Sequence, residues 1–235
     1  MDDDPTPTSP AKGLHAITSL AEPTRRAVYE FVALAGDWVS RDGAATAVGL
    51  ERGTAAHHLD RLADDGLLEV DYRRLTGRSG PGAGRPAKVY RRSRRDFEVS
   101  LPPRDYELAG SMLAAAVDRS RSYGVGIDDA VAAVAIDRGE QLAEEVRTRL
   151  RTATGRGVHA RRNAALEVLS EHGFEPIAED SGTIALRNCP FHQLAQEHTE
   201  LICNMNLCML QSTLVDLGDT GFEARLEPDD DACCV

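Results

Sequence analysis

The segment TGRSGPGAGRP, at residues 76–86, limits what the first part of this chain can fold into. Its glycines and prolines are typical of a turn or loop and interrupt both helices and strands. The flanking sequences, LLEVDYRRL and AKVYRRS, combine β-branched, aromatic and alternating apolar residues, which is typical of strands. The pattern therefore predicts a β-hairpin with a long, glycine-rich tip.

This hairpin also carries a dense positive charge. Residues 73–95 include no acidic residue and nine basic ones, namely Arg73, Arg74, Arg78, Arg85, Lys88, Arg91, Arg92, Arg94 and Arg95. Residues 1–100 hold 15 basic and 15 acidic side chains, so the whole net charge of −11 arises in residues 101–235. An acidic protein with one dense basic segment is predicted to contact a polyanion at that segment.

Helical patterns precede the hairpin. After a short one at residues 14–20, EPTRRAVYEFVAL places Pro23 at a favourable first helical position and supplies an apolar stripe. A short extended piece, DWVS, leads to a small helix at residues 41–48, and a fourth helix directs Ala55, Leu59 and Leu62 inward. Helices followed by a basic hairpin, in this order, are typical of a winged helix-turn-helix DNA-binding domain.

In such a domain the last helix before the hairpin enters the major groove, and the hairpin reaches phosphates or the minor groove. The predicted DNA-contacting residues are Arg52, Thr54, Ala55, His57, His58 and Arg61 on the helix, and Arg74, Arg78, Arg85 and Lys88 on the hairpin. One of the two histidines is alternatively expected to pack beneath the hairpin. Asp60, Asp64 and Asp65 lie on the same helix and are expected to face away from phosphate. A winged helix used for protein contacts is the alternative.

The second part of the chain follows a boundary at SLPPRD, residues 100–105. We predict a disordered lead-in at 1–12, a DNA-binding domain at 13–100 and a dimerisation and effector domain at 101–235. DYELAGSMLAAAVDRS is a helix whose small residues suit either a dimer seam or packing within the domain. Two further helices, a hairpin from FEPIAED and GTIALRN, and a last strand from FEARLEP predict an α+β fold with a small antiparallel sheet.

All five cysteines lie after residue 188: Cys189, Cys203, Cys208, Cys233 and Cys234. Cys189 precedes Pro190, which predicts a helix starting there, with the thiol near its positive end, where thiolate is favoured. An unbroken helix to Cys203 would separate the two sulfurs by about 21 Å, too far for one metal or cluster. The two thiols share a site only if the helix breaks, and Thr199 is a suitable N-cap for a new helix. Cys208 is predicted to be a buried core thiol.

Four uses of these thiols remain open: inert packing, a zinc site, a metal-free redox switch and an iron–sulfur cluster. Zinc sites usually contain closely spaced CxxC pairs, which this chain lacks. His192 lies one turn beyond Cys189 and is a candidate further ligand or an internal hydrogen-bonding group.

No catalytic motif appears: the chain has no glycine-rich phosphate loop, nucleophile elbow or HExxH sequence. No apolar run approaches the ~18–20 residues that cross a bilayer, and the N-terminal MDDDPTPTSPAKG lacks the apolar region of a signal peptide. We therefore expect a cytoplasmic protein that is not an enzyme and has no membrane partner.

The residues resemble a known group of regulators. LAEPTRRAVYEFVA resembles the opening helices of ArsR- and DeoR-type winged helix-turn-helix regulators, and TGRSGPGAGRPAKVYRRS resembles the wing of their SufR-like iron–sulfur branch. CPFHQLAQEHTELIC is similar to the segment in which two ligand cysteines of SufR-like regulators flank a histidine-containing stretch. The cysteines of metal-sensing ArsR proteins are absent from the first hundred residues.

The resemblance implies a homodimeric repressor that binds a palindromic operator in double-stranded DNA. It further implies an iron–sulfur cluster, [4Fe–4S] by expectation, held by Cys189, Cys203 and one of Cys233 and Cys234, with His192 as a candidate fourth ligand. The alternatives are a winged-helix regulator with a zinc or small-molecule effector site, and a thiol redox protein with an appended DNA-binding module.

Overall fold

A computed structural model describes residues 10–74, 85–153, 155–179, 183–218, 220–227 and 235. The described residues form nine helices and five strands in two antiparallel sheets, an α+β protein as predicted. The chain divides into two compact units, Met1–Val99 and Ser100–Val235. Among the described residues, no helix combines the length and apolar character needed to span a bilayer.

The first unit has seven elements. They are α1 (Pro10–Ser19), α2 (Pro23–Ala35), β1 (Val39–Ser40), α3 (Arg41–Val48), α4 (Arg52–Asp64), β2 (Leu68–Arg73) and β3 (Ala87–Arg92). The predicted helix at 14–20 begins earlier, at Pro10, and the other predicted helices and strands are confirmed. The three strands pair antiparallel in the order β1-β3-β2, with Val70 opposite Tyr90 and Val39 on the other side of Tyr90.

Local sequence sets the helix boundaries of this unit. The Glu22 carboxylate accepts hydrogen bonds from the backbone N–H groups of Thr24 (2.9 Å) and Arg25 (2.6 Å), which caps α2 ahead of Pro23. Ser40 caps α3 in the same way, because its hydroxyl accepts from the Gly43 N–H at 3.0 Å. The helices bury Val28, Val32, Ala44, Leu59 and Leu62 against Tyr90 of β3.

The second unit contains α5 (Tyr106–Tyr123), α6 (Ile127–Thr152), α7 (Val158–Glu171), β4 (Pro176–Ala178), β5 (Ile184–Leu186), α8 (His192–Glu197) and α9 (Thr199–Leu217). Its strands form a two-stranded antiparallel ribbon. The predicted last strand was wrong, because residues 222–227 form neither helix nor strand. The carbonyl of Ala224 accepts a hydrogen bond from the Gln211 side chain at 3.2 Å instead of from a strand partner.

The core of this unit is centred on the crossing of α6 and α9. Gly139 of α6 lies directly against α9, where a β-carbon would come within 2.3 Å of the Met209 carbonyl oxygen. The Thr213 hydroxyl donates to the carbonyls of Gly139 (3.1 Å) and Met209 (2.9 Å), and the Ser212 hydroxyl donates to the Ile136 carbonyl (3.0 Å). Small and hydroxyl-bearing residues therefore allow the two helix backbones to approach closely.

Candidate functional site

One face of α4 is exposed and predominantly basic in its first two turns. Thr54, His57 and Arg61, spaced three and four residues apart, lie on this face. The Arg52 side chain is also exposed and forms an ion pair with Asp42 at 2.7 Å. Arg61 is half-exposed and forms an ion pair at 3.1 Å with Asp65, the residue that follows α4. The negative charge of Asp65 is therefore compensated by a neighbouring guanidinium group. These are four of the six helix residues predicted to contact DNA.

The other two predicted helix contacts need correction. Ala55 is fully buried beside Leu59 and Leu62, because the spacing of these residues places all three on the core side of α4. His58 is mostly buried, with its Nδ1 atom 3.7 Å from a Glu22 carboxylate oxygen. Burial lowers the pKa of His58, and the Glu22 charge only partly opposes this. His57 is therefore the outward histidine and His58 is the one that packs inward.

Asp60 of α4 is surrounded by donors from two other elements. Its carboxylate accepts from Lys88 Nζ (2.6 Å), the Tyr90 hydroxyl (2.5 Å) and Arg41 Nη2 (2.9 Å). Burial raises the pKa of this carboxyl, but the three hydrogen bonds outweigh burial and leave the pKa below its ordinary value. Lys88, which was predicted to contact DNA, directs its ammonium group to Asp60 and leaves its side chain 25% exposed. The cluster joins α3, α4 and β3.

The basic residues of the hairpin fall into two groups. In the first group, the guanidinium carbons of Arg73 and Arg91 lie 4.5 and 4.6 Å from the centroid of the half-buried Trp38 ring. Arg73 also forms an ion pair with Asp71, and Arg91 with Glu69. In contrast, the exposed arginines of residues 73–95 that form no ion pair within the described ranges are Arg74, Arg85, Arg92, Arg94 and Arg95. Arg74 and Arg85 flank the tip, and Arg78 lies in the tip, outside the described residues. The second group is available to an external anion.

The segment that contains Cys189 is fixed by its neighbour Asn188. The buried Asn188 amide donates to the carbonyls of Gly173 (2.6 Å) and Pro103 (2.8 Å), and its oxygen accepts from Arg104. Arg104 also donates to the Cys189 carbonyl at 3.2 Å. Cys189 is 7% exposed and belongs to the hydrophobic core of the second unit. Its thiol is thus held in a defined, largely water-excluded position.

The predicted break between Cys189 and Cys203 is confirmed. α8 ends at Glu197 and α9 begins at Thr199, with His198 between them outside helical geometry. Two details differ from the prediction. The first helix starts at His192, preceded by a turn, and His198 occupies the N-cap position of α9, because the Thr199 hydroxyl donates back to the Ala195 carbonyl at 2.7 Å. Cys203 is 5% exposed in the second turn of α9.

The remaining candidate ligands have different environments. His192 is half-buried, and its backbone N–H donates to the Cys189 carbonyl at 3.1 Å. Cys208 was predicted to be buried, but it is partly exposed: it packs on the edge of the core and lines a groove of about 670 Å³ together with His198, Leu201 and Met205. Cys233 and Cys234 lie outside the described residues.

These observations test how a metal group fits the chain. Within the described ranges, no set of three or more His, Cys, Asp and Glu side chains converges in a way that could hold a metal ion. The described residues do supply two buried cysteines on opposite sides of a helix break, and soft thiolate ligands suit zinc and iron–sulfur clusters. A complete site would need the terminal cysteines or His192 as well.

Sequence reasoning did not find three residues that organise these sites: Trp38, Asn188 and Asp60 as a hydrogen-bonding centre. Asp60 was noted only as an unfavourable charge, and its partners lie 19, 28 and 30 positions away. Such distant pairings have no local pattern.

A comparison of the chain with protein-family models, curated protein sequences and solved structures gives no match.

Proposed function

We propose that this chain is a DNA-binding transcriptional regulator whose first unit is a winged helix-turn-helix. The observation that carries the proposal is the exposed face of α4, with Arg52, Thr54, His57 and Arg61, in the same unit as a hairpin with unpaired arginines. The order of helices and strands, and a first short strand that pairs with β3, support the same arrangement.

In this proposal α4 lies in the major groove. Arg52 and Arg61 exchange their partners Asp42 and Asp65 for base edges or phosphates, at little cost because exposed ion pairs contribute only about 0–1 kcal/mol. Arg74, Arg78 and Arg85 contact phosphates or the minor groove beside it. Asp60 does not repel the duplex strongly, because Lys88, Tyr90 and Arg41 already compensate its charge.

The proposed regulator acts as a homodimer on a palindromic operator. A two-fold operator fixes the distance between half-sites, so a small rotation between protomers changes DNA affinity. The exposed side of α5, which includes Ala114 and the 39%-exposed Val117, is the proposed dimer seam.

The second unit is proposed to hold the effector, an iron–sulfur cluster of the [4Fe–4S] type bound by Cys189, Cys203 and one of Cys233 and Cys234. His192 is the candidate fourth ligand, and zinc is the alternative metal. Such a group would supply sensitivity to oxygen and to iron supply. Within this chain, the hydrogen bonds of Asn188 fix the backbone beside Cys189, and the break at His198 determines where α9, which carries Cys203, begins. A metal bound by both cysteines would therefore control the position of α9 relative to the Cys189 segment.

The cluster is tested by anaerobic purification followed by visible absorbance and by iron and sulfide analysis. We expect a coloured protein, and we expect Cys189→Ser and Cys203→Ser to abolish the colour. Cys208→Ser is the matched control on α9 and should retain it. A colourless protein with stoichiometric zinc would exclude the iron–sulfur assignment, and an intact chromophore in either of the first two variants would exclude that ligand.

DNA binding is tested by measuring the dissociation constant for duplex DNA over a range of salt concentrations. Arg78→Ala and Arg85→Ala should each weaken binding and lower the slope of log K against log salt by about 0.9 for each lost phosphate contact. Arg26→Ala, an exposed arginine on α2, is the control and should leave the slope unchanged. Equal effects of all three substitutions would place the DNA contact elsewhere.

A further inference from the structure

The second unit contains a cavity of about 520 Å³, partly open to solvent, that the proposed cluster does not use. It lies among α6, α7, α9, β5 and residues 220–227. Apolar and polar atoms contribute comparable areas to its wall, and the apolar part includes Leu142, Val146, Val168, Leu186, Leu210 and Phe222. This volume is within the range of about 300–1,000 Å³ that is typical of small-molecule sites.

The polar groups at this cavity are mainly acceptors. Glu179, Glu223 and Glu227 line it, against one positive group, Arg225, which pairs with Glu223 at 2.9 Å. The lining therefore has an excess of negative charge. A positively charged group is favoured at such a position and a carboxylate or phosphate is disfavoured.

The one buried hydroxyl in the wall points to the same chemistry. Thr213 is 4% exposed, and its hydroxyl hydrogen is already donated to the carbonyls of Gly139 and Met209. Thr213 therefore offers no hydrogen-bond donor to a ligand in the cavity. An anionic ligand, which needs donors, would gain nothing from Thr213.

Residues 220–227 form the outer wall without regular secondary structure. Phe222 lies under the Arg162 guanidinium group, 3.9 Å from the ring centroid, and the Ala224 carbonyl accepts from Gln211 of α9. A wall tied by side-chain contacts of this kind opens at a lower free energy than a helix of the core. Because the cavity is already partly open to solvent, a ligand can enter it with little change in this wall.

We infer that this cavity binds a small apolar molecule that carries a positive charge, such as an aryl-alkyl ammonium ion. The apolar body occupies the space between α6, α7 and α9, and the cationic group lies near Glu179 and Glu227. This inference depends on the second unit alone, so it stands or fails separately from DNA binding and from the cysteine ligands.

The test compares two probes of nearly the same shape and opposite charge, 2-(1-naphthyl)ethylammonium and 1-naphthaleneacetate. Isothermal titration calorimetry on the full chain is expected to show saturable binding of the ammonium probe and at least fivefold weaker binding of the acetate. Leu214→Trp, which fills the cavity from α9, should abolish binding of the ammonium probe. Leu201→Trp, an exposed position on the same helix outside the cavity, is the control and should not.

The charge assignment has its own variants. Replacing Glu179 and Glu227 together by Gln should lower the affinity for the ammonium probe about two- to fivefold, the range expected of partly exposed charge pairs. It should not lower the affinity for the acetate probe. Glu140→Gln, an exposed carboxylate on α6 away from the cavity, should change neither. Equal affinity for the two probes would overturn the cationic preference, and binding that survives Leu214→Trp would overturn the site. Circular dichroism verifies that each variant is folded.

Discussion

The crossing of α6 and α9 makes opposite predictions for the same substitution at two helical glycines. Gly139 is in the middle of α6 and Gly110 is near the start of α5. An alanine is intrinsically more favourable than glycine within a helix by about 1 kcal/mol, so both substitutions share this gain. They differ in what the new methyl group meets.

At Gly110 a β-carbon has no heavy atom within 4 Å, so Gly110→Ala should stabilise the second unit by up to about 1 kcal/mol. At Gly139 the β-carbon would lie 2.3 Å from the Met209 carbonyl oxygen and 2.6 Å from the Ser212 β-carbon. The helices must move apart, which costs roughly 1–3 kcal/mol in overpacking. The movement also weakens the hydrogen bonds from Ser212 and Thr213 to α6, each contributing about 0.5–1.5 kcal/mol.

The net expectation for Gly139→Ala is a loss of roughly 2–4 kcal/mol in the free energy of unfolding. Urea denaturation followed by far-ultraviolet circular dichroism measures it, with Gly110→Ala as the matched control. Gly139→Ser should be at least as unfavourable as Gly139→Ala, because it adds an atom at the same place. The reasoning is refuted if Gly139→Ala is neutral or if it stabilises the protein as much as Gly110→Ala does.

Three further predictions concern polar groups. Asp60→Asn should lower the stability of the first unit by about 1–2 kcal/mol, a modest value because the side chain is 40% exposed. Since the pKa of Asp60 is lowered, its contribution is present above the ordinary pKa and is lost as pH falls through the lowered pKa; the variant should lack this acid-dependent loss. Burial lowers the pKa of His58, so the unfolded state takes up a proton at a higher pH than the folded state does. The first unit should therefore lose stability as pH falls below about 6.5. His58→Gln should flatten the dependence of the free energy of unfolding on pH in this range. Asn188→Ala should reduce the free energy of unfolding of the second unit by about 1–3 kcal/mol and speed the alkylation of Cys189, measured by mass spectrometry.

Matched variants separate these effects from general damage. Asp64→Asn, at an exposed position of the same helix, should change stability by less than about 0.5 kcal/mol. His57→Gln, at an exposed position of the same helix, should change stability by less than about 0.5 kcal/mol. A Cys189 alkylation rate unaltered by Asn188→Ala would show that the amide does not hold that segment.

Local sequence patterns predicted most of the elements, and their physical reasons are visible. Pro23 starts α2, and the apolar spacing of Leu59 and Leu62 identifies the inward face of α4. The same spacing also placed Ala55 inward, so its nomination as a DNA contact contradicted the pattern. The break before Cys203 followed from a distance argument, since one straight helix could not bring two thiols together.

The failures share a different cause, which is dependence on partners distant in sequence. Residues 222–227 have strand-like composition, but a strand needs a neighbour, and here a glutamine side chain binds the backbone instead. Lys88 looked like a free cation until Asp60, 28 positions earlier, was seen to bind it. The cavity of the second unit arises from four elements and residues 220–227, and no local pattern in the sequence predicts it.

Trp38 has a consequence for experiment. It is the single tryptophan of the chain, and its ring contacts the guanidinium groups of Arg73 and Arg91, one from each strand of the hairpin. Indole emission depends on nearby charge and on contact with water, so the tryptophan fluorescence of this protein, excited selectively over tyrosine, reports on the first unit alone. Duplex DNA that draws either arginine away from the ring would change that emission without any added label, while events confined to the second unit would be silent.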